Sequence, residues 1–433
     1  MTKYVGKPIP RYDGIGHVTG ATTYVDDINM PGMLYAKVLR SPVPKGVIRH
    51  IDVSGAENLP GVAAVITAKD IPGKNRYYND EQPVFVEDHI RYKGERIAAV
   101  AAVDEDTAME ALEKIKIEIE EQPPVFDPFE AMKPTAPKVR PQGNLWIFNS
   151  GESRVVTKGD VEKGFAESDE IIERTYTEKM NDMAAIEPHV AVAYTDGSDR
   201  LLIHTVSQAR HFHLGHLCPI FNLPLSKICL IGGTVGGGFG GKNEVQTEHV
   251  AGLLALKLRK PVKYRLTRQE VLQCTTKRGA FYFEYKSGVK KNGKVMAYKI
   301  RAVHDIGAYN TMGAYAVEKH SFYIVGPYTV PHVRYDGYAV FTNKPVSSSM
   351  RGFSTINVNY AHEIQMDLMA EAIGMDPWEI RFINAWREGD TAPNQWKVVA
   401  AGLIETMKKA AEMEGVKLPP HLLAMSSQRR EKE

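Results

Sequence analysis

The stretch most suggestive of chemistry is a glycine-rich loop at residues 236–242. It places five glycines around one bulky aromatic, Phe239, and ends in Lys242. Glycine costs backbone entropy on folding, so such density indicates that something approaches the backbone closely. Residues 227–231 predict a buried strand before the loop, and residues 244–258 predict a helix after it. Strand, glycine loop and helix start together predict an anion-binding site of backbone N–H groups.

Two nucleotide-binding motifs match this loop only in part. Gly236, Gly238 and Gly241 have the G-x-G-x-x-G spacing, and residues 236–242 approach the phosphate-loop pattern. Asn243, however, stands where that pattern needs a magnesium-binding Ser or Thr. The next predicted strand, residues 262–266, also supplies no acidic residue for a ribose. Both nucleotide interpretations are therefore disfavoured, while a tight structural turn does not explain Phe239.

Three closely spaced histidines, His211, His213 and His216, are a candidate metal site. On a helix they do not share one face, and no nearby cysteine or carboxylate completes a ligand set. Solvent-facing or hydrogen-bonded histidines are the favoured interpretation.

A second polar segment begins with three serines at residues 347–349 and continues into Arg351 and Phe353. One interpretation is a polar turn with an N-cap serine between a strand and a helix. The other is a ligand site, in which the side chain or backbone N–H of Arg351 holds an anion. Phe353 would then present a ring face to the ligand.

The amino-acid composition and net charge limit the class of protein. The 433 residues are 43% hydrophobic and 24% charged, with a net charge of +2. These values are ordinary for a globular protein and predict no nucleic-acid or membrane-surface partner. The first residues lack the apolar core of a signal peptide, and the longest apolar run, near 97–103, is too short to span a bilayer. We therefore expect a cytoplasmic protein.

Cysteine content limits the redox chemistry of the chain. Three cysteines provide neither a CxxC pair nor the four thiolates that an iron–sulfur cluster normally takes. Any transfer of electrons through clusters must then use another subunit.

Local patterns predict the elements around these candidates. Strands are expected at 33–39, 62–67, 96–103 and 115–119, and a helix at 105–114 with Asp104 as its N-cap. A proline-rich stretch at 122–141 predicts a linker, followed by a region of mixed strands and helices. Asp376 before Pro377 predicts another helix start. The tail from Leu418 is expected to be frayed.

Several motifs, taken in order, resemble the molybdenum-binding subunit of the xanthine dehydrogenase/aldehyde oxidase family. They are residues 20–27, Glu187-Pro188-His189, Ser207-Gln208, residues 237–242, Arg351-Gly352-Phe353 and residues 374–377. The resemblance implies an α+β fold: an α/β hammerhead domain at 1–130, a linker at 131–150, a first molybdopterin-binding domain at 151–415 and a flexible tail at 416–433. It further implies the N-terminal half of a split large subunit, as in nicotinate dehydrogenase.

The implied chemistry is oxidative hydroxylation of an N-heterocycle, nicotinate-like or purine, with water as the oxygen source. The implied cofactor is molybdenum–molybdopterin, expected in its cytosine dinucleotide form and shared with a second molybdenum subunit. That subunit would carry the C-terminal half and the general base. Electrons would leave through an iron–sulfur subunit and an FAD subunit. An aldehyde-oxidising member, a nucleotide-binding module built on the glycine loop and a family member without turnover remain alternatives.

The resemblance also implies roles for individual residues, with no direct ligation of the metal by protein. Gln208 would donate a hydrogen bond to the apical oxo ligand, and Phe353 would stack on the substrate. Asn243 and Lys319 replace a glutamate and an arginine of purine-hydroxylating members, which disfavours xanthine. Lys319 instead suits a substrate carboxylate, so a nicotinate-like substrate is favoured. The expected cofactor-binding residues are Gln208, Gly238, Phe239, Gly240, Gly241, Arg351 and Gly352.

Overall fold

Strands and helices are interspersed along the chain in the computed structural model, which describes residues 3–78 and 81–428. The strands are β1 (Leu34–Arg40), β2 (Gly46–Asp52), β3 (Val62–Thr67), β4 (Arg76–Tyr77), β5 (Gln82–Pro83), β6 (His89–Ile90), β7 (Arg96–Ala102), β8 (Lys116–Glu121), β9 (Arg154–Lys158), β10 (Glu170–Glu178), β11 (Val190–Thr195), β12 (Leu201–Thr205), β13 (Ile228–Gly232), β14 (Val262–Arg265), β15 (Phe281–Val289), β16 (Val295–Gly307) and β17 (His332–Phe341).

The α-helices are α1 (Gly14–Thr19), α2 (Ser54–Glu57), α3 (Glu105–Lys114), α4 (Pro128–Ala131), α5 (Val161–Ala166), α6 (Arg210–Phe221), α7 (Glu248–Leu258), α8 (Arg268–Cys274), α9 (Gly313–His320), α10 (Thr355–Ile373), α11 (Pro377–Asn384), α12 (Leu403–Met413) and α13 (Pro420–Ala424). Among the helices that the structure describes, none combines the length and the hydropathy that crossing a bilayer requires.

The chain forms two compact units, and each is built from two separate segments. The first unit contains Met1–Gln122 and Met183–Thr275, and the second contains Pro123–Asp182 and Thr276–Glu433.

The first unit is organised around a seven-stranded sheet in the order β13-β12-β11-β14-β1-β7-β3. Strand β7 is buried on both faces, because its alternate alanines point into two different cores. Ala99 and Ala101 join the core that contains Leu254 of α7. Ala98 joins the core that contains Ala108 of α3. The sheet therefore has helices packed on both sides, and the glycine-rich loop leaves it after β13.

The second unit is organised around a five-stranded sheet in the order β10-β15-β16-β17-β9. Its core joins alternate residues of β15, such as Phe281 and Phe283, to the apolar face of α10 at Val358 and Ala361. Helix α9 contributes Val317 to the same core. The burial of α9 and α10 against this sheet fixes the segments that carry Lys319 and Phe353.

Several predicted elements are confirmed. Strand β3 and helix α3 have the predicted bounds, and the Asp104 carboxylate accepts a hydrogen bond from the Thr107 N–H. The Asp376 carboxylate caps α11 in the same way. Helix α7 begins at Glu248 rather than at residue 244, because the Glu248 carboxylate accepts from the N–H groups of Gln246 and Thr247. Those N–H groups precede the helix and are bonded to the side chain of its first residue.

Two segments expected to be loosely attached contribute buried side chains. In the proline-rich stretch, Val125, Ala131 and Val139 are buried in the core of the second unit. Near the C-terminus, Leu422 is 2% exposed and packs in a cluster with Phe382. A few well-placed apolar residues are enough to anchor a segment of polar composition. Residues 429–433 of the expected tail lie outside the described part of the chain.

Candidate functional site

The glycine-rich loop of the first unit is tied to Gln208, which follows β12. The Gln208 Oε1 accepts hydrogen bonds from the N–H of Gly240 (2.9 Å) and the N–H of Lys242 (3.2 Å). The Gln208 backbone N–H donates to the Lys242 carbonyl (2.9 Å). Two donors converge on one side-chain atom, so that atom is the carboxamide oxygen. The exposed Gln208 side chain thus presents its NH2 group away from the loop, ready to donate to an oxygen acceptor.

Close packing explains why two of the loop positions must be glycine. A Cβ at Gly238 would lie 2.4 Å from the Gln208 Oε1, and one at Gly236 would lie 2.6 Å from the Glu187 Cβ. The backbone also takes positive φ at Gly237 (+96°), Phe239 (+53°) and Gly240 (+97°). This geometry leaves the ring of Phe239 44% exposed beside bare backbone.

Lys242, at the end of the loop, is buried and paired. Its Nζ donates to the Glu187 Oε2 (2.6 Å), which also accepts from the Gly236 N–H (2.7 Å). Burial lowers the pKa of Lys242, and the adjacent Glu187 carboxylate opposes that shift. The ammonium therefore fastens the end of the loop to its beginning and is already engaged by a carboxylate.

The predicted anion site at a helix start is wrong in two respects. The Gly241 N–H donates to the Gly238 carbonyl and the Asn243 N–H to the Gly240 carbonyl, so these loop donors are used internally. The loop is also separated from α7 by residues 243–247 and does not form that helix's N-terminus. A nucleotide-binding module would need these donors and Lys242 for phosphates, and the geometry gives it neither.

The second candidate segment, in the second unit, is held by backbone contacts on both sides of Phe353. The Arg351 carbonyl accepts a hydrogen bond from the Arg278 Nη2 (2.6 Å), while the Arg351 side chain is exposed. Gly352 and Ser354 have positive φ values of +72° and +67°. The turn therefore fixes the direction of the Phe353 ring through an otherwise unfavourable backbone conformation.

An aromatic and cationic cluster surrounds Phe353. Its ring stacks on Tyr315 with centroids 5.9 Å apart and planes 26° apart, and the Lys319 Nζ lies 5.3 Å from its centroid. Tyr315 and Lys319 are four residues apart on α9 and share a face. Sequence reasoning missed Tyr315, although its spacing from Lys319 was the signal that could have found it.

The serine segment differs from its predicted turn. Ser347 is buried, and its Oγ lies 3.0 Å from the Nε2 of His304. The His304 Nδ1 faces the Gly313 carbonyl, so Nε2 accepts the Ser347 hydroxyl proton. Burial lowers the pKa of His304 to about 3, which keeps the ring neutral. The N-cap of α10 is Ser354, without a side-chain cap, so the predicted N-cap serine at 347–349 is wrong.

The histidines of α6 differ in their surroundings: His213 is buried, whereas His211 is exposed. No group of three His, Cys, Asp or Glu side chains in residues 3–78 and 81–428 is arranged to hold a metal ion. A carboxylate does meet one of the histidines: the Glu248 Oε1 lies 3.0 Å from the Nδ1 of His213. Glu248 was missed because it lies 35 positions further along the chain.

The structure thus gathers the predicted site residues into two clusters, one in each unit. The first unit contains Gln208, Gly238, Phe239, Gly240, Gly241 and Asn243. The second contains Lys319, Arg351, Gly352 and Phe353.

Two known families match successive stretches of the chain. Residues 147–385 match the molybdopterin cofactor-binding domain. Residues 19–123 match the a/b hammerhead domain of aldehyde oxidase and xanthine dehydrogenase. These matches define the chain as a molybdopterin-binding protein with a hammerhead domain and confirm the predicted order of the two folds.

Individual relatives agree with these two family matches. The chain is 35% identical to the nicotinate dehydrogenase large molybdopterin subunit of Eubacterium barkeri, over 94% of this chain and 96% of the relative. It is 36% identical to a probable xanthine dehydrogenase subunit of Bacillus subtilis, over 92% of this chain and 54% of the relative. The aldehyde oxidoreductase structure from Desulfovibrio gigas superposes with a TM-score of 0.89 and 30% identity, covering 93% of this chain and 46% of that one.

The chain therefore belongs to the xanthine dehydrogenase/aldehyde oxidase family. It spans about half the length of the Bacillus subtilis and Desulfovibrio gigas relatives and nearly all of the Eubacterium barkeri subunit.

Proposed function

We propose that this chain is a subunit of a molybdenum hydroxylase that hydroxylates a planar N-heterocycle bearing a carboxylate. The cofactor is molybdenum–molybdopterin, and we expect its cytosine dinucleotide form. When bound, it supplies Lewis-acid and redox chemistry with water as the source of oxygen. The observation that carries the proposal is the orientation of Gln208, whose oxygen is used by the loop and whose NH2 group is free to face an oxygen of the cofactor.

The residues of the first unit fit such a cofactor. The Gln208 carboxamide cannot rotate without breaking two hydrogen bonds to the loop, so its donor is preorganised. The loop beside it exposes the ring of Phe239 and has no charged side chain between residues 236 and 241. A fixed donor beside an exposed aromatic ring would suit a flat, oxygen-rich group.

The cluster of the second unit supports a planar acidic substrate. Phe353 and Tyr315 supply ring faces for stacking, and Lys319 supplies a cation beside the ring. A lysine ammonium suits a carboxylate as a point charge. The name of the Eubacterium barkeri relative, nicotinate dehydrogenase, agrees with this chemistry.

Other subunits complete the proposal. A second molybdenum chain would carry the remaining half of the cofactor-binding region and the general base. The Bacillus subtilis and Eubacterium barkeri relatives are both named as subunits, which supports an assembly. Iron–sulfur and FAD subunits would carry electrons away, since the chain has only three cysteines.

None of these cysteines forms a disulfide within the described part of the chain, which supports a reducing compartment such as the cytoplasm.

The test is turnover by the complex purified from its native source. A nicotinate-like acid, a neutral heterocycle, a purine and an aldehyde are assayed in oxygen-labelled water, and the product is examined by mass spectrometry. The proposal predicts labelled hydroxylation of the acidic heterocycle. Turnover of aldehydes alone would favour the aldehyde-oxidising alternative. A cofactor-loaded complex that converts none of the four would support a family member without turnover.

A further inference from the structure

The buried histidine of α6, His213, lies between two groups that only accept hydrogen bonds. Its Nδ1 is 3.0 Å from the Glu248 Oε1, and its Nε2 is 2.9 Å from the backbone carbonyl oxygen of Asn243. The Ser207 Oγ is a more distant neighbour of Nε2, at 3.3 Å. A neutral imidazole carries one N–H and one lone pair, so it can donate to only one of the two acceptors. An imidazolium carries two N–H groups and satisfies both.

The surroundings of Glu248 favour its ionised form. Its Oε1 accepts the Thr205 hydroxyl (2.6 Å), and its Oε2 accepts the N–H groups of Gln246 (3.1 Å) and Thr247 (3.0 Å). Three donors directed at one carboxylate stabilise the charge, so the proton shared with His213 belongs on the ring. The pair is therefore a buried imidazolium–carboxylate with both partners below 5% exposed.

The other titratable groups facing His213 do not compete for this charge. Glu244, on the segment before α7, is a further negative group that raises the pKa of His213. His216 on α6 and His249 on α7 are held neutral by burial, with the positive charge of His213 contributing. The pKa of His216 is lowered to about 4 and that of His249 falls well below its usual range. For His213 itself, burial lowers the pKa, but Glu248 and the Asn243 carbonyl raise it overall.

The carbonyl that His213 holds is one residue beyond the end of the glycine-rich loop. Lys242, its neighbour, binds Gln208 through both its N–H and its carbonyl. Asn243 itself donates its N–H to the Gly240 carbonyl. A fixed Asn243 therefore fixes the two amide donors that orient the Gln208 carboxamide.

We propose that His213 is a positioning residue: held as an imidazolium by Glu248, it clamps the Asn243 carbonyl and thereby orders the loop and Gln208. The clamp is a property of the chain without cofactor. Only its consequence for a bound cofactor rests on the proposed function. A test without cofactor therefore separates failure of the clamp from failure of the function.

The first experiment uses the unaltered full-length chain. Selective 15N-histidine labelling, with His213→Gln for assignment, reports the charge of each ring by NMR. We expect His213 to remain an imidazolium at pH 7.5, because both of its ring nitrogens face acceptors. A neutral His213 ring at pH 7.5 overturns the proposal.

The second experiment follows exchange of the loop amides at 236–243 by hydrogen–deuterium mass spectrometry, expressed as protection factors that correct for pH. A raised pKa in the folded state means that the clamp is complete below pH 6.5 and is lost as pH rises through the folded pKa. We expect protection to fall in that upper range in the unaltered chain. If the protection of the loop amides does not change with pH up to the onset of unfolding, the proposed clamp is overturned.

Variants give the matched comparison. His213→Gln should lower loop protection about tenfold or more, the loss of a hydrogen bond from a charged donor. In Glu248→Gln, loop protection should be lost at a pH about one unit or more lower, because the carboxylate that stabilises the His213 imidazolium is removed. His211→Gln, on the same helix but exposed, should change neither. Equal protection in His213→Gln and His211→Gln overturns the proposal. If His213→Gln does not fold, the pH series on the unaltered chain decides.

Discussion

At the scale of single residues, Gln208 packs directly against the glycine-rich loop. From the sequence alone, the glycine density indicates that something approaches the backbone closely. In the structure, the atoms nearest to a Cβ placed at Gly236 belong to Glu187, and those nearest to one placed at Gly238 belong to Gln208. Two of the five glycines are therefore required by packing against these two side chains.

Replacing Gly238 with alanine tests this packing. The new Cβ would lie 2.4 Å from the Gln208 Oε1, well inside van der Waals contact, so Gln208 or the loop must move. We expect a loss of about 1–3 kcal/mol in unfolding free energy. Gly215→Ala in α6 is the control, with nothing within 4 Å of its Cβ and an expected gain of about 0.5–1 kcal/mol. Urea denaturation of both variants measures the difference. Similar small changes in the two would contradict the packing account.

Lys319 tests the choice of substrate. Lys319→Met removes the cation beside Phe353 and retains a side chain of similar length. We expect kcat/KM for an acidic heterocycle to fall about tenfold or more, the value of one charged hydrogen bond, with a smaller loss for a neutral one. Phe353→Ala is the comparison, since it should weaken both by removing the stacking surface. Equal losses for acidic and neutral substrates in Lys319→Met would rule out a carboxylate partner.

At the scale of elements, local signals were sufficient where the structure depends on local contacts. Helix α3 and its Asp104 cap, and helix α11 with its Asp376 cap, follow from residues within one turn of each other. The start of α7 was missed because Glu248, the first residue of the helix, accepts hydrogen bonds from the N–H groups before it, which no local capping pattern indicates.

Contacts between distant segments could not be predicted in the same way. Strand β14 lies between β11 and β1 in the sheet, and nothing in its own sequence specifies those neighbours. The His213–Glu248 pair and the Tyr315–Phe353 stack also join segments that are remote in sequence. The candidate site residues were identified by family resemblance. Their hydrogen bonds and stacking partners required the structure.

Helix α11 gives a direct test at the element scale. The Asp376 carboxylate accepts from the N–H groups of Trp378 and Glu379 at the helix start. We expect Asp376→Ala to cost about 1 kcal/mol in unfolding free energy, and Asp376→Asn only a few tenths, because asparagine also caps. Chemical denaturation compares the two variants. Equal losses of unfolding free energy in the two variants would show that the charge of Asp376, and not its capping hydrogen bonds, stabilises the helix start.

For the whole molecule, the compact units do not coincide with the matched families. The cofactor-binding match, residues 147–385, contributes to both units. Within the first unit, β14 pairs in parallel with β1 of the hammerhead segment. The glycine-rich loop and Gln208 are therefore built into a sheet that the hammerhead segment helps to form.

A fragment lacking the hammerhead segment tests this dependence. Residues 123–433 would retain the loop but lose β1, β3 and β7 from the seven-stranded sheet, leaving β14 with an exposed edge. We expect the loop amides at 236–243 to lose their protection from exchange and the fragment to associate. Hydrogen exchange and light scattering, compared with the full chain, measure both. A monomeric fragment with full loop protection would contradict the shared sheet.

We propose that Gln208, oriented by the loop, faces a molybdenum cofactor. The most direct measurement is the molybdenum and pterin content of the complex purified from its native source, determined together by elemental analysis and by fluorescence of the oxidised pterin. We predict both, in equal amounts, in the unaltered complex and a marked loss of both in a folded Gln208→Ala variant. An intact complex with neither molybdenum nor pterin would contradict the account.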